Sequence, residues 1–411
     1  MLQRQGQCTT LFEAEPRAGG HSHTIDVSLE GITHPVDTGF LVFNERTYPR
    51  LVQLFTELGV RSVASDMSFS VRHDAAGLEW AGTNLRAVFA DPCNAVRPGF
   101  WAMLGDIVRF NRDTRRLLAA DRIPDETLGT FLATRNYGAT FRDWYLLPMS
   151  AAIWSCPRSR ILDFPLSTFV RFCNNHGLLQ LTDRPQWRTV SGGAREYVAR
   201  IVARLPDVRL ACPVMRVTRR AGRVEIDSDS RFAESFDDVV LACHADQALR
   251  LLADASPDEQ RLLSSIDYQA NRVVLHTDAS LLPRRRSAWS AWNYLAIDDD
   301  GASPVAVSYL INKLQPLPFR TPVIVTLNPP VEPRTASVLG EFEYSHPVLD
   351  SCAIDARRGL GSIQGTLNTW YAGAWLGNGF HEDGLNAAHL VAQRISDREQ
   401  RLASPVEREA A

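Results

Sequence analysis

The stretch Leu11-Phe12-Glu13-Ala14-Glu15-Pro16-Arg17-Ala18-Gly19-Gly20-His21 decides how the chain is read. A short apolar run, Thr10 to Phe12, ends on an acid and is followed by a glycine pair. In a dinucleotide-binding βαβ unit the second strand ends on an acid that hydrogen-bonds the adenosine ribose, and a Gly-rich phosphate loop lies about 20 residues upstream. Only twelve residues precede Glu13 here. Read bare, the stretch is equally an ordinary strand end with a turn.

The 411 residues exceed what one core usually holds, so two domains are expected. The composition is globular, 45% hydrophobic and 22% charged, and the net charge of −3 argues against nucleic-acid binding. Lys313 is the only lysine; the other basic side chains are arginines. Seven cysteines (8, 93, 156, 173, 212, 243 and 352) form no CxxC pair and no metal-ligand spacing. They read as reduced thiols of a cytoplasmic protein that binds no metal. No apolar run has the length of a membrane span, and there is no signal-peptide core.

Along the chain, Met1 to Gly6 reads as the last turn of a helix and Cys8 to Phe12 as a strand. A hairpin follows at 23–36, then a helix over 48–58 closed by Gly59. Period-two runs at 69–80 give way to helical spacing over 98–118 and 141–154. The runs 208–210, 214–217, 224–226 and 238–242 predict one small sheet; those at 272–276, 289–295, 305–310 and 323–327 predict a four-stranded antiparallel one. The last helix is expected over 384–395, with a frayed polar tail past Ser396.

Two further Gly-rich segments stand out. Ser191-Gly192-Gly193-Ala194 leads into a helix whose first N–H groups suit an anion, or simply marks a capped helix. Tyr371-Ala372-Gly373 through Gly384 enters the last helix, or is a surface turn. In order and spread, these motifs resemble the flavin-containing amine oxidase and phytoene desaturase superfamily. Leu11 to His21 matches its "LEAxxRxGGR" strand end, with His21 for the last arginine. Asp37-Thr38-Gly39-Phe40 matches its "DxG", Gly192-Gly193 its mid-chain "GG", and Ala372-Gly373 with Glu382-Asp383-Gly384-Leu385 its C-terminal box. More closely, 37–49 with 241–247 resembles a bacterial branch described as predicted NAD/FAD-binding proteins.

The resemblance implies an α/β fold with an α+β second domain: a Rossmann-like FAD-binding domain whose first βα unit is incomplete, and an amine-oxidase-like substrate domain. The FAD-binding parts are expected at 1–68, 186–265 and 346–411, a helical substrate part at 69–185 and its sheet at 266–345. The absent GxGxxG segment corresponds to roughly two dozen residues before Met1. Carried over, Glu13 and Ala14 meet the ribose. Arg17, Gly19, Gly20 and His21 lie near the pyrophosphate or flavin, Thr38, Gly39 and Phe40 beside the ring, and Val214 at the adenine. Gly373 approaches the pyrophosphate, while Glu382, Asp383, Gly384 and Leu385 face the flavin's pyrimidine end.

The family's lysine that holds a water near the reactive flavin nitrogen falls at about Asn271-Arg272. Arg272 does not accept a proton, its pKa lying above about 12. Arg272 and His381 are the catalytic candidates, with His176 a further acid or base. The implied activity is FAD-dependent hydride removal from a C–C or C–N bond of a small or lipid-like substrate, with dioxygen or another acceptor reoxidising the flavin. The alternative is a truncated, non-catalytic member acting as a binding protein. The arginine and aromatic mixture of 98–118 and 282–289 suits peripheral membrane contact, and equally a solvated face.

Overall fold

Two short parallel strand pairs mark the half expected to bind nucleotide in the computed structural model, which describes residues 1–155, 158–180, 184–220, 222–228, 233–297 and 305–403. Thr10–Phe12 pairs with Asp207–Arg209, and Val239–Leu241 pairs with Thr369–Tyr371. Among the described residues no ladder joins the two pairs. The single small sheet expected over 208–242 is therefore split three ways. Its middle is an antiparallel sheet of Val214–Arg220, Arg223–Ser228 and Glu234–Phe236, whose hairpin register favours sequence neighbours.

Along Val214–Arg220, inward positions alternate with outward ones, and that period puts Arg219 beside Val217 in the core. The Arg219 side chain is fully buried, and a buried charge requires a partner. Glu259, itself 1% exposed, takes its guanidinium in bidentate fashion, and Asp254 accepts from Nε at 2.8 Å. Tyr371 Oη donates to the same Glu259 carboxylate at 2.7 Å. This cluster ties the antiparallel sheet, the Pro257–Leu263 helix and the Thr369–Tyr371 strand together.

The half expected to take the substrate is built on a seven-stranded sheet in the order Val338–Pro347, Tyr268–His276, Ile324–Leu327, Ala306–Leu310, Trp292–Ala296, Phe69–His73, Leu78–Ala81. It exceeds the expected four strands because the segment at 69–81 joins it, Phe69–His73 running parallel to Trp292–Ala296, and because Val338–Pro347 forms an edge. The helices Pro98–Ala119, Leu128–Thr134, Leu147–Trp154 and Leu166–Asn175 form the largest core against this sheet. Phe100, Met103 and Phe110, at helical spacing, are all within 1% of full burial.

The last helix spans His381–Ala403, so the frayed tail expected past Ser396 is helical through Ala403, and its remainder lies outside the described residues. Side-chain contacts hold its end: Arg398 pairs with Asp238, and Gln7 bonds Glu399. The described cysteines are free thiols; Cys156 lies outside the described residues. Among the described residues no helix is long and apolar enough to cross a membrane, and no three His, Cys, Asp or Glu are placed to hold a metal.

Burial pushes the Glu259 pKa up, but the bonds from Arg219 and Tyr371 outweigh it and leave the carboxyl at about 2. Glu259→Leu strands a buried guanidinium and is expected to cost about 3–5 kcal/mol, measured as a lower urea midpoint.

Candidate active site

The site begins where the chain crosses itself. Gly19, at φ +118°, turns the backbone so that Ser22 N–H reaches Gly19 O, and the chain then runs beside Thr38–Phe40. Phe40 N–H donates to His21 O and Thr38 N–H to His23 O, each at 2.9 Å. Only glycine fits between them, because a Cβ on Gly39 would sit 2.1 Å from His21 O.

Asp37, 1% exposed, anchors this crossing. Its carboxylate accepts from Thr24 Oγ1, from Ala194 N at 2.9 Å and from Gln315 Nε2 at 2.7 Å, while its own N–H donates to Gln315 Oε1 at 3.0 Å. A Cβ on Gly193 would meet Thr24 and Asp37 at under 3.0 Å. The anion at the start of the Arg195–Val202 helix is thus the chain's own Asp37, not a ligand. Burial pushes the Asp37 pKa up to about 6 against these donors.

Beside the crossing lies a cavity of about 230 Å³. His21, Thr38, Gly39 and Phe40 form one wall, Phe380 and His381 a second, and Tyr344 and His346 on the sheet a third. Trp154, Trp187, Trp292, Tyr309, Val273 and Leu327 make most of the remainder apolar. Phe40 stacks on His381 at 4.1 Å, and His381 Nε2 bonds Tyr197 Oη at 2.9 Å, which in turn bonds Ser22 Oγ. His346 Nδ1 meets Asn271 Nδ2 at 3.0 Å. An open polar cleft of about 870 Å³ adjoins the cavity; Tyr48, His176, Asn378 and Phe380 line both, and Arg50, Glu382 and Asp383 line the cleft.

The cavity is lined with neutral groups. Burial holds His21 and His381 at about 4 and His346 at about 3, with the neighbouring histidines adding to the effect.

Of the residues singled out from sequence, His21, Thr38, Gly39, Phe40, His176 and His381 meet in this cavity. Glu13 sits at the end of Thr10–Phe12 and accepts from Glu15 N at 3.0 Å, with Ala14 exposed in the turn that runs on to Gly20. Arg17 is half-buried, and its Nη1 is buried without a hydrogen-bond partner. Val214 opens its strand and packs in the nucleotide-half core with Phe12 and Phe236. Gly373 has no room for a Cβ, which would lie 2.4 Å from Trp375 Nε1.

The C-terminal box divides. Glu382 gives its carboxylate to Arg50 N and Leu51 N, at the start of the Pro49–Leu58 helix, instead of facing the cavity. Asp383 accepts from Phe380 N at 3.0 Å. Gly384 lies against Ala374 at ordinary contact distance, and Leu385 packs into the core below the sheet.

Arg272 is not part of the cavity. Strand alternation turns Asn271 and Val273 inward, and Arg272 outward onto Glu332 at 2.7 Å and Glu341 at 3.1 Å. Tyr344 and His346 are cavity residues that were not singled out; the alternation Glu341-Phe342-Glu343-Tyr344 is the signal that points to them.

A model of the flavin-containing amine oxidoreductase family matches residues 1–312. No curated protein matches the sequence. Among solved structures, cyclohexylamine oxidase from Brevibacterium oxydans IH-35A aligns with a TM-score of 0.66 at 16% identity, over 97% of this chain and 96% of that one. The CLA-producing fatty acid isomerase from P. acnes gives 0.63 at 16%, over 96% and 92%. Putrescine oxidase bound to putrescine gives 0.65 at 14%, over 97% and 95%. At such identities the structural likeness shows a shared fold. The chain belongs to the flavin-containing amine oxidoreductase family, and with it to the FAD-dependent oxidoreductases.

Five histidines, His21, His23, His276, His346 and His381, have folded pKa values of about 3 to 4, below the ordinary 6.5. Their contribution to stability is full above 6.5 and is lost as pH falls toward 4. Asp37 and Asp383, both raised by burial, run the other way, but they are two groups against five. The thermal midpoint of FAD-free protein is expected to drop steadily from pH 7 to pH 4.5; a flat profile overturns the assignment.

Proposed function

We propose that the chain removes a hydride from an apolar, lipid-like substrate, at a C–C bond in preference to an amine C–N bond. The observation that carries this reading is the aromatic cavity in front of Thr38–Phe40, whose sheet wall includes Val273, while Arg272, at about the position of the family's lysine, is turned away onto Glu332 and Glu341. A structural neighbour named as a fatty acid isomerase is in keeping with it, although others are named as amine oxidases.

FAD, when bound, supplies the hydride acceptor. The chain's residues suit its parts. Glu13 accepts hydrogen bonds from ribose hydroxyls, and the unpartnered Arg17 Nη1 provides a buried donor for a phosphate oxygen. Gly39 and Gly373 let backbone come closer than any side chain would allow. His381, fixed by Tyr197 and Phe40, walls the reacting space, and the tryptophans exclude water from it. The division proposed for the domain parts is the one read from sequence.

Adding FAD is expected to give a yellow protein, and Glu13→Ala to weaken FAD binding about tenfold to a hundredfold, the worth of hydrogen bonds to a charged group. Under anaerobic conditions an unsaturated fatty acid is expected to bleach the bound flavin faster than putrescine or cyclohexylamine; the reverse order overturns the substrate assignment. A preparation that takes up no FAD favours the binding-protein alternative.

The substrate class is matched by a surface suited to a bilayer. Leu85 and Val96 are 79% and 81% exposed, and Trp101, 53% exposed, packs its ring 5.5 Å from Phe89. The Leu85–Val88 helix packs against Arg286–Ala288, beside Arg284 and Arg285. Those two arginine side chains are 69% and 49% exposed, whereas their partners Asp74 and Asp91 are 24% and 13% exposed, so the outer face is positive. Peripheral docking on anionic lipid is expected. The protein should sediment with phosphatidylglycerol vesicles but not with phosphatidylcholine ones, and Leu85→Ser with Trp101→Ser should abolish this; equal binding to both lipids overturns it.

A further inference from the structure

Behind the sheet wall of the cavity a hydrogen-bond chain leads to His346, and its direction is fixed from its far end. Arg272 N–H donates to Asn328 Oδ1 at 3.0 Å, which identifies that atom as the oxygen. Asn328 Nδ2 then donates to Val305 O at 3.2 Å and to Asn271 Oδ1 at 2.8 Å. Asn271 Nδ2 in turn donates to Gln269 O at 2.9 Å and meets His346 Nδ1 at 3.0 Å. Flipping either amide would set donor against donor. An amide N–H only donates, so His346 Nδ1 accepts and the ring proton lies on Nε2.

The strand pairing makes this arrangement rigid. Asn271 lies opposite Tyr344 and Gln269 opposite His346, and Asn271 is 1% exposed. The His346 ring lines the cavity, 5.3 Å from that of His21, and no hydrogen bond joins its Nε2 to the protein among the described residues. We propose that His346 is a neutral N–H donor of fixed tautomer, set by Asn271 and Asn328 as positioning residues. Its Nε2–H holds an acceptor oxygen or ring nitrogen of the molecule in the cavity, either flavin or substrate. The proposal rests on this cavity being the reaction site.

The surroundings keep the ring uncharged. Burial is the main cause, and the nearness of His21 and of His244, the latter stacked on Tyr268 at 4.2 Å, disfavours two charged rings in one group. Tyr344 also faces His21, at 4.9 Å. A neutral N–H in this position orients an acceptor without taking up a proton. The family's lysine, by contrast, would bring a cation.

Ring ¹H–¹⁵N correlation spectra read the tautomer directly in FAD-free protein, with His346→Gln identifying the resonance. The expected result is Nε2–H alone, with no titration between about pH 5 and pH 8. An Nδ1–H form, or titration near the ordinary 6.5, overturns the proposal. Asn271→Asp puts an acceptor at Nδ1 and is expected to move the proton there or to bring ring ionisation into that range; an unchanged spectrum overturns the positioning role.

His346→Leu, compared with His346→Gln, locates the acceptor. If it lies on flavin, Leu weakens FAD binding about tenfold and shifts the visible band, and Gln restores both. If it lies on substrate, FAD binding is unchanged and KM rises about tenfold with Gln rescue. No change in either overturns the donor role. Failure to bind any FAD would defeat the function proposed above while leaving the tautomer measurement intact.

Discussion

The Asp37 carboxylate is the constraint on which the site depends. It joins the hairpin strand that carries it, the first turn of the Arg195–Val202 helix and Gln315 of the sheet half in one buried node. Removing a charge from water is costly, and three donors are what make it tolerable here. The requirement then propagates. Gly193 carries no side chain because Thr24 and Asp37 occupy the space, and Thr38–Phe40 follow directly from the anchored residue into the cavity wall.

Charge is kept out of the cavity by the same economy of partners. Arg219 is neutralised deep in the nucleotide half, Arg272 is turned to the outer face of the sheet, and Glu382 caps a helix. What remains around the cavity is a set of imidazoles held uncharged by burial, among aromatic rings. Such a lining favours apolar substrate and leaves hydrogen-bond direction, not net charge, as its means of orienting what it binds.

Local features were legible in the sequence. The hairpin at 23–36, the helix ending at Gly59 and the strand ending at Glu13 follow from alternation, spacing and glycine placement, and Gly59 does adopt the left-handed conformation, φ +67°. Non-local pairings were not. Nothing in Phe69–His73 says that its partner lies at 292–296, and nothing near Gly193 says that its anion comes from Asp37. Arg272 failed for a narrower reason: a strand's period of two makes a one-residue error in alignment a change of face. The motif order identified the family, while the phase of one strand decided which side chain faces the cavity.

The strand pairs of the nucleotide half are three residues long and join segments about 130 to 200 positions apart. Their order in the chain therefore sets an order of assembly. Phe380 and His381, at the start of the helix ending at Ala403, complete walls that His21 and Phe40 begin. During synthesis the Thr10–Phe12 strand must wait, unpaired, until 207–209 leave the ribosome, and the cavity waits until the last helix does. Closure of the cavity is thus a final event of biogenesis, and a nascent chain stalled before the C-terminal helix would present the hairpin and its histidines with nothing to enclose.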